Sequence, residues 1–212
     1  MHRNWRKTDF LDKFAAQAGR RSLDNLTIGP VITWDNARIK KHIDDILELD
    51  GAELLFGGVP LRNHKIPDCY GSYEPTAIKV PLKHFRGKAK RQLLTTELFG
   101  PFSLVVEYTT RDLDFLLQTL HDLPHHLTAA VVSNDVQFTD HVLAHTINGT
   151  QYAGLRARTT GAPQNHWFGP SGDPRGAGIG TAYAIQLTWS HHREIVTDIG
   201  PVPDDWTTPP PA

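Results

Sequence analysis

A carboxylate and an aromatic ring two residues apart, Glu97 and Phe99, stand in the segment Thr95-Thr96-Glu97-Leu98-Phe99-Gly100-Pro101. A carboxylate at a loop edge can accept hydrogen bonds from both vicinal hydroxyls of a ribose, and a ring beside it can pack against a flat heterocycle. The same residues also suit a solvated acid and a core aromatic ahead of a glycine-proline turn. Gly176-Ala177-Gly178-Ile179-Gly180 has the look of a dinucleotide fingerprint, but that fingerprint should follow a strand directly. Here the glycines follow a loop, and they read as a tight turn feeding a helix. His141 and His145 are four apart on an expected helix and could share a zinc ion. No third ligand accompanies them, so no metal site is expected. Cys69, the one cysteine, lies in Ile66-Pro67-Asp68-Cys69-Tyr70-Gly71 with neither a helix N-terminus nor a clear cationic neighbour. It reads as an inert or partly exposed thiol.

The elements that must position these residues follow from periodicity. Residues 8–21 carry Phe10, Leu11, Phe14 and Ala18 on one helical face. A second helix is predicted over residues 36–49, capped by Asp35 or Asn36, with the stripe Ile39, Ile43, Ile46 and Leu47. Short strands are predicted over 52–56 and 76–81, separated by a proline- and glycine-rich loop, and 83–91 reads simply as a basic stretch. The strongest strand spans 102–108. A helix over 111–123, a strand over 128–132, a helix over 136–147 and a strand over 151–155 follow it. That alternation implies an α/β fold, a parallel sheet with flanking helices, whose functional loops lie outside the carboxyl ends of the strands. The loop over 158–180 is long enough to be functional. A helix over 181–190, a strand over 193–198 and a proline-rich tail close the chain.

Bulk properties exclude several classes. The net charge of −1 and a pI near 6.9 leave no general attraction for nucleic acid or an anionic membrane. No apolar run approaches the roughly 20 residues of a membrane span. With one cysteine there is no internal disulfide, and 39% hydrophobic residues support a packed core.

Taken with their spacing, several motifs resemble the aldehyde dehydrogenase superfamily. They are Leu26-Thr27-Ile28-Gly29-Pro30-Val31-Ile32, Leu54-Leu55-Phe56-Gly57-Gly58, the strand beginning Glu74-Pro75-Thr76, and the Glu97-Leu98-Phe99-Gly100-Pro101 segment. The run from Tyr152 to Gly180 is the most specific. It resembles plant-type L-glutamate γ-semialdehyde (Δ1-pyrroline-5-carboxylate) dehydrogenases of proline catabolism, and the final run from Trp189 to Pro203 continues the likeness. The resemblance covers residues 1 to about 203.

The resemblance implies an NAD-dependent oxidation of an aldehyde to an acid through a cysteine thiolate, with a glutamate base and an asparagine holding the oxyanion. By position, Glu97 would hold the nicotinamide ribose of NAD and Phe99 would pack beside the nicotinamide. Thr160, Gly161 and Ala162 would lie in the loop that grips the far end of the aldehyde substrate, and Phe168 would line its tunnel. Ala162 stands where some relatives carry a serine hydroxyl. The family's nucleophile, base, oxyanion asparagine and dinucleotide-binding domain are all expected upstream of the stretch resembling Met1 to Trp5, so no catalytic residue is assigned here. Residues 1–190 would then be a partial catalytic domain, 191–203 an oligomerisation-type strand and 204–212 a tail. Expected partners are the missing N-terminal half or a full-length dehydrogenase subunit, in a homo-oligomer. The compartment implied for the parent enzyme is the mitochondrial matrix. The alternatives are an inactive short paralogue that pairs with a full-length subunit, or a free-standing nucleotide module.

Overall fold

The computed structural model describes residues 1–123, 126, 128–154, 182–197 and 204–205. The chain divides into two compact units, Met1–Pro124 with Val136–Thr146, and His125–Asp135 with Ile147–Ala212.

The first unit is built on a three-stranded sheet in the order β1-β2-β3, with β1 Glu53–Phe56, β2 Thr76–Pro81 and β3 Phe102–Glu107. β2 is central and almost wholly buried, and Ile78 and Val80 are inaccessible to solvent. Helix α1 covers Phe10–Ala18 and α2 covers Asn36–Leu47. The stripe on α2 does what its spacing predicts: Ile39, Ile43 and Ile46 are buried in the core with Val31, Trp34 and Tyr73. His42 joins them inside, which apolar periodicity alone did not indicate. The Asp35 carboxylate accepts from the Arg38 amide at 2.7 Å and caps the helix. Gly51, at φ +80°, turns the chain from α2 toward β1, a backbone geometry that side chains resist.

β2 and β3 are parallel, with Ile78 opposite Leu104, as the alternation of strands and helices implies. β1 departs from the all-parallel expectation and pairs antiparallel to β2, Glu53 opposite Lys79. The reason lies in the connection. Residues 57–75 contain no helix to carry the chain back across the sheet, so the chain reverses instead. The basic stretch also proves to be structured. A 3-10 turn, Leu82–Arg86, leads into α3, Lys88–Thr95, which is the crossover that parallel β2 and β3 require. α4 (Leu113–His121) follows β3 through a capping box in which Thr109 and Asp112 satisfy one another. α5 (Val136–Ala144) completes the unit.

The second unit holds parallel strands β4 (Thr128–Val131) and β5 (Thr150–Ala153), with Thr128 opposite Thr150, and helix α6 (Ala182–Trp189). The strand expected over 193–198 is not formed across 193–197, which is exposed and joins no ladder among the described residues. A strand needs a hydrogen-bonding neighbour, and the described part of this chain supplies none there.

Candidate functional site

The 96–101 loop is held from three sides. α3 delivers it: the Thr95 and Thr96 hydroxyls donate to the Arg91 and Gln92 carbonyls at 2.9 and 2.7 Å and satisfy the last turn of the helix. Arg91 pairs with Asp122 just past the end of α4 at 2.7 Å. The Gln118 side chain and this guanidinium together hold the Asp122 carboxyl below its ordinary range. On the far side the Pro101 carbonyl accepts from the Thr76 amide at 2.8 Å, so the loop is stitched to the start of β2.

Between those anchors the side chains alternate. Leu98 is buried, and Glu97 and Phe99 on either side of it are exposed, Phe99 by 67%. Glu97 has no hydrogen bond or ion pair among the described residues, so its oxygens are free to accept. Phe99 is therefore not the core aromatic of the simpler sequence reading. A large ring left in water without a partner ring is a surface suited to a flat ligand. Carboxylate and ring thus stand free on one exposed loop, one able to accept hydrogen bonds and the other to cover a flat group.

The third support comes from the 29–34 segment. Val31, almost fully buried, exchanges two backbone hydrogen bonds with Gly71, at 2.8 and 2.9 Å. A methyl group on Gly100 would meet Val31 Cγ2 at 2.6 Å, and one on Gly71 would meet Ile39 Cδ1 at 2.3 Å and the Trp34 carbonyl at 2.6 Å. The two glycines are there because three segments approach one another too closely for a side chain. Asn36 locks the same corner. Its amide donates to the Ser72 hydroxyl at 3.1 Å while its oxygen accepts from the Ser72 amide at 2.7 Å. Sequence reasoning named Gly100 only as part of a turn and gave Gly71 no role. A glycine inside an otherwise bulky loop was the available signal.

This loop precedes β3 and touches the start of β2, so the candidate site lies at the amino ends of the parallel pair. The general rule for such sheets, and the expectation drawn from it, favours the carboxyl ends. The substrate-side positions Thr160, Gly161, Ala162 and Phe168, and the glycines at 176–180, lie outside the described residues. Cys69 is exposed and unpaired in the 59–75 loop. The His141 and His145 rings lie 4.2 Å apart, tilted by 36°, and His145 Nδ1 is 2.7 Å from the His141 carbonyl. Among the described residues no group of three or more metal-ligating side chains forms.

The sequence profile of the aldehyde dehydrogenase family matches residues 4–172. A probable aldehyde dehydrogenase of Linum usitatissimum is 54% identical over 99% of this chain and 38% of its own length. The mitochondrial Δ1-pyrroline-5-carboxylate dehydrogenase 12A1 of Arabidopsis thaliana is 53% identical, again over 99% of this chain and 38% of its own. The chain thus spans well under half the length of these relatives. The NAD+ complex of an aldehyde dehydrogenase from Bacillus cereus shares the fold at a TM-score of 0.53 and 16% identity, over 76% of this chain and 31% of that one. A profile match over most of its length and relatives more than half identical make one conclusion plain: the chain belongs to the aldehyde dehydrogenase family.

Proposed function

We propose that this chain is the downstream portion of an NAD-dependent dehydrogenase that oxidises L-glutamate γ-semialdehyde to glutamate. The observation that carries this reading is its 53% identity, over 99% of its length, to a Δ1-pyrroline-5-carboxylate dehydrogenase. The mitochondrial naming of that relative supports a mitochondrial site of action.

In this reading Glu97 accepts hydrogen bonds from the nicotinamide ribose, and Phe99 covers one side of the nicotinamide. Their exposure and lack of internal partners suit them to that task. NAD, when bound, supplies the hydride acceptor. The protein's contribution from this loop is orientation, and orientation repays a rigid support. Buried Leu98, Gly100 against Val31, and the Thr76–Pro101 hydrogen bond provide it. Thr160, Gly161 and Ala162 are assigned to the loop at the substrate's far end and Phe168 to the aldehyde tunnel. The nucleophilic cysteine, the general base and the oxyanion donor are assigned to sequence outside this chain. Cys69, a free and exposed thiol, is assigned no part, because the family resemblance does not place it at the nucleophile's position.

The test is the intact mass and activity of the native polypeptide containing residues 159–175. We expect a mass well above 23.7 kDa and NAD-dependent oxidation of the semialdehyde. A larger polypeptide that binds NAD+ yet leaves the semialdehyde unoxidised would reject the substrate. A second reading is a short, inactive paralogue that pairs with a full-length subunit. It is favoured by Ile195 and Val196, 68% and 84% exposed on a segment that joins no ladder among the described residues. A native mass near 23.7 kDa, with a longer dehydrogenase co-purifying, would select it.

A further inference from the structure

His42 is 6% exposed, yet neither ring nitrogen has a hydrogen-bond partner among the described residues. Buried polar groups are normally satisfied, so an orphan needs a reason. An apolar side chain would fill the place at lower cost. The ring instead sits between two others. It meets Trp34 edge-on at 5.1 Å and 90°, and Phe102 at 5.8 Å and 58°. Those two residues flank the supports of the 96–101 loop. Phe102 follows Pro101 directly and donates its amide to the Gly100 carbonyl at 2.8 Å. Trp34 ends the segment whose Val31 abuts Gly100, and its carbonyl leaves no space for a side chain at Gly71.

The charged groups acting on the ring all belong to α2. Asp45, one turn on, favours the imidazolium, and its carboxylate is already tied to Lys41 at 2.7 Å. Arg38, one turn back and 4.2 Å over the Trp34 ring, opposes it. From the 29–34 segment and from β3 the rings it meets are the uncharged Trp34 and Phe102. Burial dominates and pushes His42 below its ordinary value, so the ring is neutral at neutral pH and gains its proton in acid.

We propose that His42 is a positioning residue for the 96–101 loop, and that charging its ring loosens the hold of Trp34 and Phe102 on that loop. Resting on the reading of Glu97 and Phe99 as nucleotide contacts, this makes NAD+ affinity fall in acid.

The experiment uses the native polypeptide that contains this chain, at micromolar concentration, from about pH 8 to about pH 5. Exchange of the imidazole C2 hydrogen, read by peptide mass spectrometry, gives the titration of His42 itself. Backbone amide exchange over residues 96–100, corrected for intrinsic rates, gives the order of the loop. NAD+ binding is titrated alongside. Loop protection should drop about tenfold across the interval in which His42 gains its proton, and the Kd for NAD+ should rise by a similar factor. In His42→Phe, which keeps an aromatic ring and cannot charge, both should be flat. Protection that stays constant through the His42 titration, or a drop that persists in His42→Phe, overturns the proposal. If that variant does not fold, the two wild-type titrations decide alone. A loop that responds while NAD+ fails to bind keeps the role of His42 and rejects the nucleotide reading. NAD+ binding beside an unresponsive loop does the reverse.

Discussion

Glu97→Gln removes one charge and no packing, because the side chain is exposed and unpartnered among the described residues. A hydrogen bond to a charged group contributes about 1.5–3 kcal/mol, so the Kd of the native polypeptide for NAD+ should rise about tenfold to a hundredfold. Its melting temperature should not change, and a fall in melting with unchanged affinity would move Glu97 from the site to the fold. Two other residues contribute to the response to acid. His42 has a folded value below its ordinary 6.5, so the unfolded chain binds the extra proton first. The stability that the neutral ring contributes is therefore lost as pH falls below about 6.5. The Glu107 carboxyl is held below its ordinary 4.5 by hydrogen bonds from Arg6 Nε at 2.8 and 2.7 Å. Its contribution is present above the unfolded value and lost as pH falls through the folded one. Urea midpoints measured against pH should show an upper acid limb that disappears in His42→Phe and a lower one, shared with Asp112 and Asp122, that shrinks in Glu107→Gln. A single limb unaffected by either variant would refute both assignments.

Among the elements, α2 carries the most. Ile46 is fully buried on its inner face, and Ile46→Ala should cost about 2–5 kcal/mol in equilibrium unfolding. Asp35→Ala loses the N-cap and should cost about 1 kcal/mol. If the two costs came out equal, the helix would owe no more to its packing than to its cap. Gly57 is the sharpest backbone case. At φ +74°, a methyl group there would lie 2.1 Å from the Pro75 carbonyl, so Gly57→Ala should destabilise by more than about 1 kcal/mol. These elements also show what a one-dimensional reading reaches. The period of Ile39, Ile43 and Ile46 and the run Thr76–Pro81 gave α2 and β2 almost to the residue, because each buries a regular face. α3 was invisible, since Leu94 is its only buried residue and Lys88, Lys90 and Arg91 mask any stripe. The direction of β1 depended on a connection without a helix, and the burial of His42 on aromatic neighbours at positions 34 and 102. Neither is a local property. At the candidate site the types of Glu97 and Phe99 were legible, but their exposure came only from the inward turn of Leu98 and the tight fit of Gly100.

At the scale of the whole molecule, exposed apolar surface is the main feature. On α6, Tyr183, Ile185, Leu187 and Trp189 are all exposed, and the 191–197 segment beyond adds Ile195 and Val196. Surface of this kind favours association, and we expect the isolated chain to express with poor solubility. A sharp cooperative melt from a soluble monomer would contradict that. The first unit has a different problem, one of timing. The Arg3 amide donates to the Tyr108 carbonyl at 2.8 Å and the Tyr108 amide to the Met1 carbonyl at 3.1 Å, so residues 1–3 are tied to the end of β3. During synthesis those first residues have nothing to pair with until β3 has left the ribosome. At about 5–20 residues per second the wait is about 5–20 s. Throughout that interval the aromatic run Trp5, Phe10 and Phe14, which later packs onto Phe56, has no finished sheet to rest on. Residues 1–14 are thus made well before the strand that seats them, and a chaperone would have to shield them for that interval.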